Sequence, residues 1–163
     1  MKRWIIADTH FYHSQMPYYC GWPENFTQQL IFNLGCVRGE DLLYHLGDVH
    51  FGTYDQLKTI LSGVRGHKVL VKGNHDKLTD TKYLEAGFDW ICDSVGVKNI
   101  IMTHHPLPLY RLPLGGINIH GHTHKAYARG GWRDPRRRSI VYSPDLFNFS
   151  PVELNKLEVM YET

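Results

Sequence analysis

The chain has 163 residues, 42% of them apolar and 21% charged, with a formal net charge of +2. That length fits one domain, residues 1–163, which buries about 70% of its unfolded surface and needs no disulfide or structural metal to hold a core. The composition excludes a disordered or fibrous chain, and so small a net charge gives no electrostatic argument for a nucleic-acid partner.

In chain order, residues 4–7 read as a short buried strand that stops at Asp8-Thr9-His10. Residues 24–34 place Phe26, Leu30 and Leu34 at four-residue steps before Gly35, the pattern of an amphipathic helix and its stop. A second strand, 42–46, runs into Gly47-Asp48, and a helix over 54–61 carries Leu57, Ile60 and Leu61 on one face. The third strand, 69–71, precedes Gly73-Asn74-His75-Asp76, and 77–86 gives a weaker helix ended by Gly87. The fourth, 100–102, precedes Thr103-His104-His105-Pro106. Residues 117–119 lead into His120-Gly121-His122-Thr123-His124, and 139–142 and 157–160 look like further strands. Strand–helix alternation predicts an α/β domain with a mostly parallel first half, and the helix-poor remainder predicts a more antiparallel second half.

Three cysteines, Cys20, Cys36 and Cys92, lack C-x-x-C spacing, which fits neither a disulfide framework nor a zinc ribbon and suits a reducing compartment. The first seven residues hold too short an apolar run for a secretory segment, and nothing approaches the ~20 apolar residues that span a bilayer. A cytoplasmic protein with no membrane partner is expected.

Eleven histidines stand out, since histidine is the commonest metal ligand and the usual acid or base near neutral pH. Ligands of open α/β sheets sit beyond the carboxyl ends of strands, and here five such ends carry Asp, Asn or His. Asp8 and His10, like His122 and His124, are two apart, so on extended backbone each pair shares a face and grips one ion. Carboxylate, imidazole and amide together suit Mn, Fe, Zn or Ni better than Ca or Mg. His45 and His120 alternate away from that face and read as core histidines, while His67 follows Gly66 in a solvated turn.

Asp8-x-His10, Gly47-Asp48, Gly73-Asn74-His75-Asp76, His104 and Gly121-His122-x-His124 resemble, in order, the motifs of the calcineurin-like metallophosphoesterases. More narrowly, Asp8-Thr9-His10-Phe11 with His13, Tyr44-His45-Leu46-Gly47-Asp48 and the tail 146–152 resemble the small bacterial and phage phosphoesterases of that superfamily. The resemblance covers nearly the whole chain, with 125–138 the least matched. It implies a two-sheet β-sandwich flanked by helices and two divalent transition-metal ions per chain, Mn first, then Fe, Zn or Ni. Asp8, His10, Asp48 and His124 would hold the first ion. Asp48 would bridge to the second, completed by Asn74, His104 and His122. A hydroxide between the ions would attack phosphorus, with His75 as acid or transition-state stabiliser.

The stretch Gly47-Asp48-Val49-His50-Phe51-Gly52 departs from the G-D-x-V-D-R-G of the protein serine/threonine phosphatases, so the carboxylate that orients their histidine is missing at Phe51. Asp76 is expected to orient His75 instead. The substrate expected is a small or nucleotide-like phosphoester, a diester before a monoester, with His13, His50, His105, Arg136 and Arg137 as its contacts. Residues 125–138 set six cations against Asp134. They fit either a solvated loop or a clamp on a phosphate-rich strand, with Trp132 or Tyr127 stacking on a base. The alternatives are thus a nuclease and, in another class, a non-catalytic metal-binding scaffold. Oligomeric state is not legible.

Overall fold

The structure is a computed structural model that describes residues 1–124 and 132–162. Strand β1 (Arg3–Ile6), β2 (Leu42–His45), β3 (His67–Val71) and β4 (Trp90–Cys92) pair side by side and parallel. β10 (Val152–Glu153) adds an antiparallel edge to β1. Ile6 lies opposite His45 and His45 opposite Leu70, so the first three strands finish level and their following loops open together.

The second sheet has the order β5-β6-β7-β9-β8, built from β5 (Ser94–Val97), β6 (Ile100–Thr103), β7 (Ile117–His120), β8 (Arg133–Asp134) and β9 (Ser139–Val141). β6, β7 and β9 are parallel, and only the edge strands β5 and β8 run antiparallel. Thr103 pairs with His120, so β6 and β7 also finish level.

Among the described residues, five α-helices flank these sheets: α1 (Met16–Cys20), α2 (Phe26–Leu34), α3 (Tyr54–Gly63), α4 (Asp80–Ala86) and α5 (Leu154–Glu162). α3 begins at a capping box, in which the Thr53 hydroxyl accepts from the Gln56 backbone N–H and the Gln56 side chain accepts from that of Thr53. One apolar cluster joins Ile5, Leu43 and Leu70 of the first sheet to Met102, Ile119 and Ile140 of the second, with Leu30, Leu57 and Leu157 from the helices. Among the described residues no helix is long and apolar enough to cross a membrane.

Two expectations need correction. Residues 157–160 belong to α5 rather than to a strand: Leu154 and Leu157 are buried and Tyr161 packs on the core, three and four residues apart, which is a helical face. A four-residue window is too short to show that period. The interior of the second sheet is parallel rather than antiparallel, because crossover connections and not hairpins link β6, β7 and β9.

Candidate metal centre

The site forms where the level ends of the two sheets meet. Asp8, Thr9 and His10 follow β1, Asp48 follows β2, and Asn74 and His75 follow β3, while His104 and His105 follow β6 and His122 and His124 follow β7. Asp8 (φ 51°), His10 (φ 42°), Asp48 (φ 56°) and His122 (φ 63°) all adopt left-handed backbone. The pairs at 8/10 and 122/124 are therefore not on extended strands, and alternation does not explain how they converge. Tight turns after each strand do, and Asp and His are among the few residue types that tolerate that conformation.

Those turns divide the histidines differently from a pairwise grip. Ligand atoms of Asp8, His10 and His124 lie within 4.8 Å of one another, as do those of Asp8, Asp48 and His104, and those of His104, His105 and His122. His122 and His124 thus fall into separate groups, with Asp48 and His104 between them. Close backbone approach makes this possible at two glycines. Gly47 has φ 90°, and a Cβ there would lie 2.6 Å from the Gly73 nitrogen and from His104 Nδ1. A Cβ on Gly73 would strike the Asp48 carboxylate itself.

Hydrogen bonding then fixes which atoms are free. His104 Nδ1 lies 2.8 Å from the Leu46 carbonyl, which only accepts, so Nδ1 carries the proton of the neutral ring. Its Nε2 lone pair consequently faces Asn74 Oδ1 at 2.9 Å and Asp48 Oδ2 at 3.5 Å, three acceptors aimed at one point. Among the described residues, both ring nitrogens of the buried His10 and Nδ1 of His124 have no hydrogen-bond partner. An unmet buried polar atom costs about 1–3 kcal/mol, and a cation among these groups removes that cost. The donor set therefore fits divalent metal.

Burial acts on the protonation states in the same sense. It holds the His10 imidazole well below its usual range, reinforced by the rings of His124, His13, His75 and His104. His104, His122 and His124 are also lowered, chiefly by burial. The Asp8 carboxyl is pushed well up by burial and then by the charge of Asp48, against hydrogen bonds from the His122 N–H at 2.9 and 3.0 Å. Neutral imidazoles and crowded carboxylates are what a dication would bind most strongly.

The remaining expected residues distribute unevenly. His75 is exposed at the rim, its ring 6.0 Å from that of His10, while its backbone N–H donates to Asp48 Oδ1 at 2.9 Å. Asp76 does not turn towards His75. Its buried carboxylate accepts from the N–H groups of Asp48, Val49 and Gly73 and from the Tyr83 hydroxyl, tying the loops after β2 and β3 together. His13 packs beside His10 and Phe51, and His105 stands 4.1 Å from the His122 ring. His50 is half-buried and joins none of the three groups. His45 and His120 are buried as expected, each imidazole lowered to about 4 by burial.

Arg136 and Arg137 are not brought to this site. They occupy the exposed turn between β8 and β9, where Arg137 pairs with Asp134 at 3.6 Å. Asn118 donates to the Arg138 carbonyl, so that turn lies at the amino-terminal end of β7 and β9, opposite His122. Trp132 is half-buried against the core. Lys125, Tyr127 and Arg129 of the basic stretch lie outside the described residues. Sequence reasoning missed Asp145 altogether, whose charge acts on both Asp8 and His124. Its position just past β9, like the other site residues past their strands, was the available signal.

This chain is similar to uncharacterized protein MJ1445 of Methanocaldococcus jannaschii, 31% identical over 99% of this chain and 92% of that protein's length. The chain belongs to that protein's family. A solved structure of a protein of unknown function, AQ665 from Aquifex aeolicus, is similar across 98% of both chains, with 27% identity and a TM-score of 0.78. Similarity in fold extends to the nuclease MPE of Pseudomonas putida, at 16% identity and a TM-score of 0.52 over 75% of this chain and 61% of that one. No family model matches the sequence. The α/β architecture of two sheets flanked by helices is thus a fold this chain shares with that nuclease.

Proposed function

We propose that this chain is a divalent-metal-dependent phosphoesterase acting on a phosphodiester. The observation that carries the reading is His104, whose Nδ1 lies against the Leu46 carbonyl and whose Nε2 faces Asp48 and Asn74, next to a buried His10 with neither ring nitrogen hydrogen-bonded among the described residues. Asp8, His10, Asp48 and His124 would hold one ion, and Asp48, Asn74, His104 and His122 a second. Mn leads among the metals that suit this donor set, followed by Fe, Zn and Ni. Bound divalent ions would supply Lewis acidity towards phosphoryl oxygens and an acidified water.

The protein's own groups do the rest. Asp48 is fixed by three contacts: the His75 N–H on Oδ1, and Asp76 on its own backbone N–H and on that of Val49. Its second oxygen stays turned towards His10 and His104. His75, exposed at the rim with its ring 5.3 Å from that of Phe51, would protonate the leaving oxygen or donate to a phosphoryl oxygen.

The test is hydrolysis of bis(p-nitrophenyl) phosphate beside p-nitrophenyl phosphate, with Mn, Ni, Zn or Mg, for wild type, His75→Ala and Asp48→Asn. Metal-dependent diester cleavage that falls 10²–10⁴-fold in His75→Ala is expected. Two ions bound per chain with no turnover would point to a scaffold instead. A nuclease is the second reading, supported by the fold shared with nuclease MPE but not by Arg136 and Arg137, which sit at the far end of the sheet.

A further inference from the structure

A strip of aromatic rings leads away from the candidate centre. Phe51 stands 5.3 Å from the His10 ring and 5.3 Å from the His75 ring. His13 packs 4.1 Å from Phe51, Tyr19 follows 6.2 Å from His13, and Tyr18 a further 5.6 Å on. Phe51 is 41% exposed, Tyr19 58% and Tyr18 83%, with the half-buried His13 between Phe51 and Tyr19.

The fold does not require these rings outside. α1 has five residues, of which only Met16 is buried, so its tyrosines contribute nothing to the core. Large apolar surface left in water beside a polar cleft marks a binding surface.

We propose that Phe51, His13 and Tyr19, extended by Tyr18, form a stacking platform for the unpaired bases of a single-stranded oligonucleotide whose phosphodiester lies at the His/Asp centre. This rests on the phosphodiesterase reading and names its substrate class. Every base has a π face, so such a platform tolerates any sequence, and each stacked base tightens binding roughly tenfold to a hundredfold. Three ring-to-ring steps exceed the footprint of one base, which favours a strand over a mononucleotide ester. Paired bases hide their faces, which favours a single strand over a duplex.

The test is binding by fluorescence anisotropy in the Mn-loaded His75→Asn background, which retains the proposed metal ligands and slows cleavage. Labelled thymidine decamer is compared with an abasic decamer of equal length and charge, and with the duplex of the same sequence. The thymidine strand is expected to bind at least tenfold more tightly than either. Phe51→Leu and Tyr19→Leu, which keep apolar bulk without a π face, should each cut that ratio at least fivefold. Equal or undetectable binding of the thymidine and abasic strands, a duplex that binds as tightly, or a ratio unchanged in both leucine variants overturns the proposal. Wild-type cleavage of bis(p-nitrophenyl) phosphate is read separately: cleavage without base preference sinks only the platform, and base preference without cleavage sinks only the phosphodiesterase.

Discussion

Replacing Asp76 with asparagine changes one oxygen to an amide and leaves the shape intact. In the wild-type site Oδ2 accepts from the Asp48 and Gly73 N–H groups at 2.9 and 2.8 Å, and Oδ1 from the Val49 N–H and the Tyr83 hydroxyl at 3.0 and 3.2 Å. With the new NH₂ at the Oδ1 position, the Tyr83 hydroxyl can turn and accept from it, but the Val49 N–H loses its acceptor and meets a donor. At about 1–3 kcal/mol for a buried group left unmet, the variant should lose about 1–3 kcal/mol. For a domain of this size that is a fall of roughly 2–12 °C in Tm. Because the same bonds hold the loop carrying Asp48 against the loop carrying Asn74, metal affinity should drop about 10–100-fold. Calorimetric melting and isothermal titration with Mn measure both quantities. An Asp76→Asn protein with wild-type Tm and wild-type metal affinity would show that this carboxylate does not organise the centre.

Other perturbations test separate parts of the structure. Gly47→Ala should displace His104, since the new Cβ would lie 2.6 Å from its Nδ1. Titration should then show one of two metal sites weakened, and two intact sites would refute the packing. His45 is neutral in the fold down to about pH 4, whereas the unfolded chain takes a proton near pH 6.5. Its contribution, about 3 kcal/mol at most, is therefore whole above pH 6.5 and lost progressively as pH falls towards 4. Urea midpoints of the metal-free protein at pH 7.5 and 5 should differ less in His45→Gln, and an equal difference in both proteins would count against the buried neutral ring. Thr53→Ala removes the hydroxyl that accepts from the Gln56 N–H at the start of α3. It should cost about 1 kcal/mol by chemical denaturation with the m-value unchanged.

Residues held in sparsely populated backbone regions cost of order 1–3 kcal/mol each and persist where function over-determines them. Asp8, His10, Asp48 and His122 all lie in one such region, and each is a proposed ligand. A strand that simply ended would let its loop wander. A strand that turns sharply at its last residues fixes a short carboxylate or imidazole against the sheet end, where two sheets can aim such groups at one another.

The amino-acid sequence by itself determined a good deal. Short apolar runs, β-branched in most cases though not in β2, marked β1, β2, β3, β6 and β7, because buried parallel strands are continuously apolar and need no alternation to be seen. The polar residues placed after those runs marked the site, since ligands of such sheets collect beyond strand ends. What it could not show were features set by distance in space. β4 and β10, of three and two residues, exist as strands only through the neighbours they pair with. The face of α5 became visible only once Leu154, Leu157 and Tyr161 met the core together. Only the tertiary structure gathered His105 into one group with His104 and His122, and spent Asp76 on the backbone around Asp48 rather than on His75. It also put Arg136 and Arg137 at the far end of the second sheet, because β9 runs parallel to β7 and the turn before it must start where β7 starts. Residue types and their order fix the chemistry available to a chain. Which of them meet depends on strand direction and register, and neither is written at the positions of the residues they bring together.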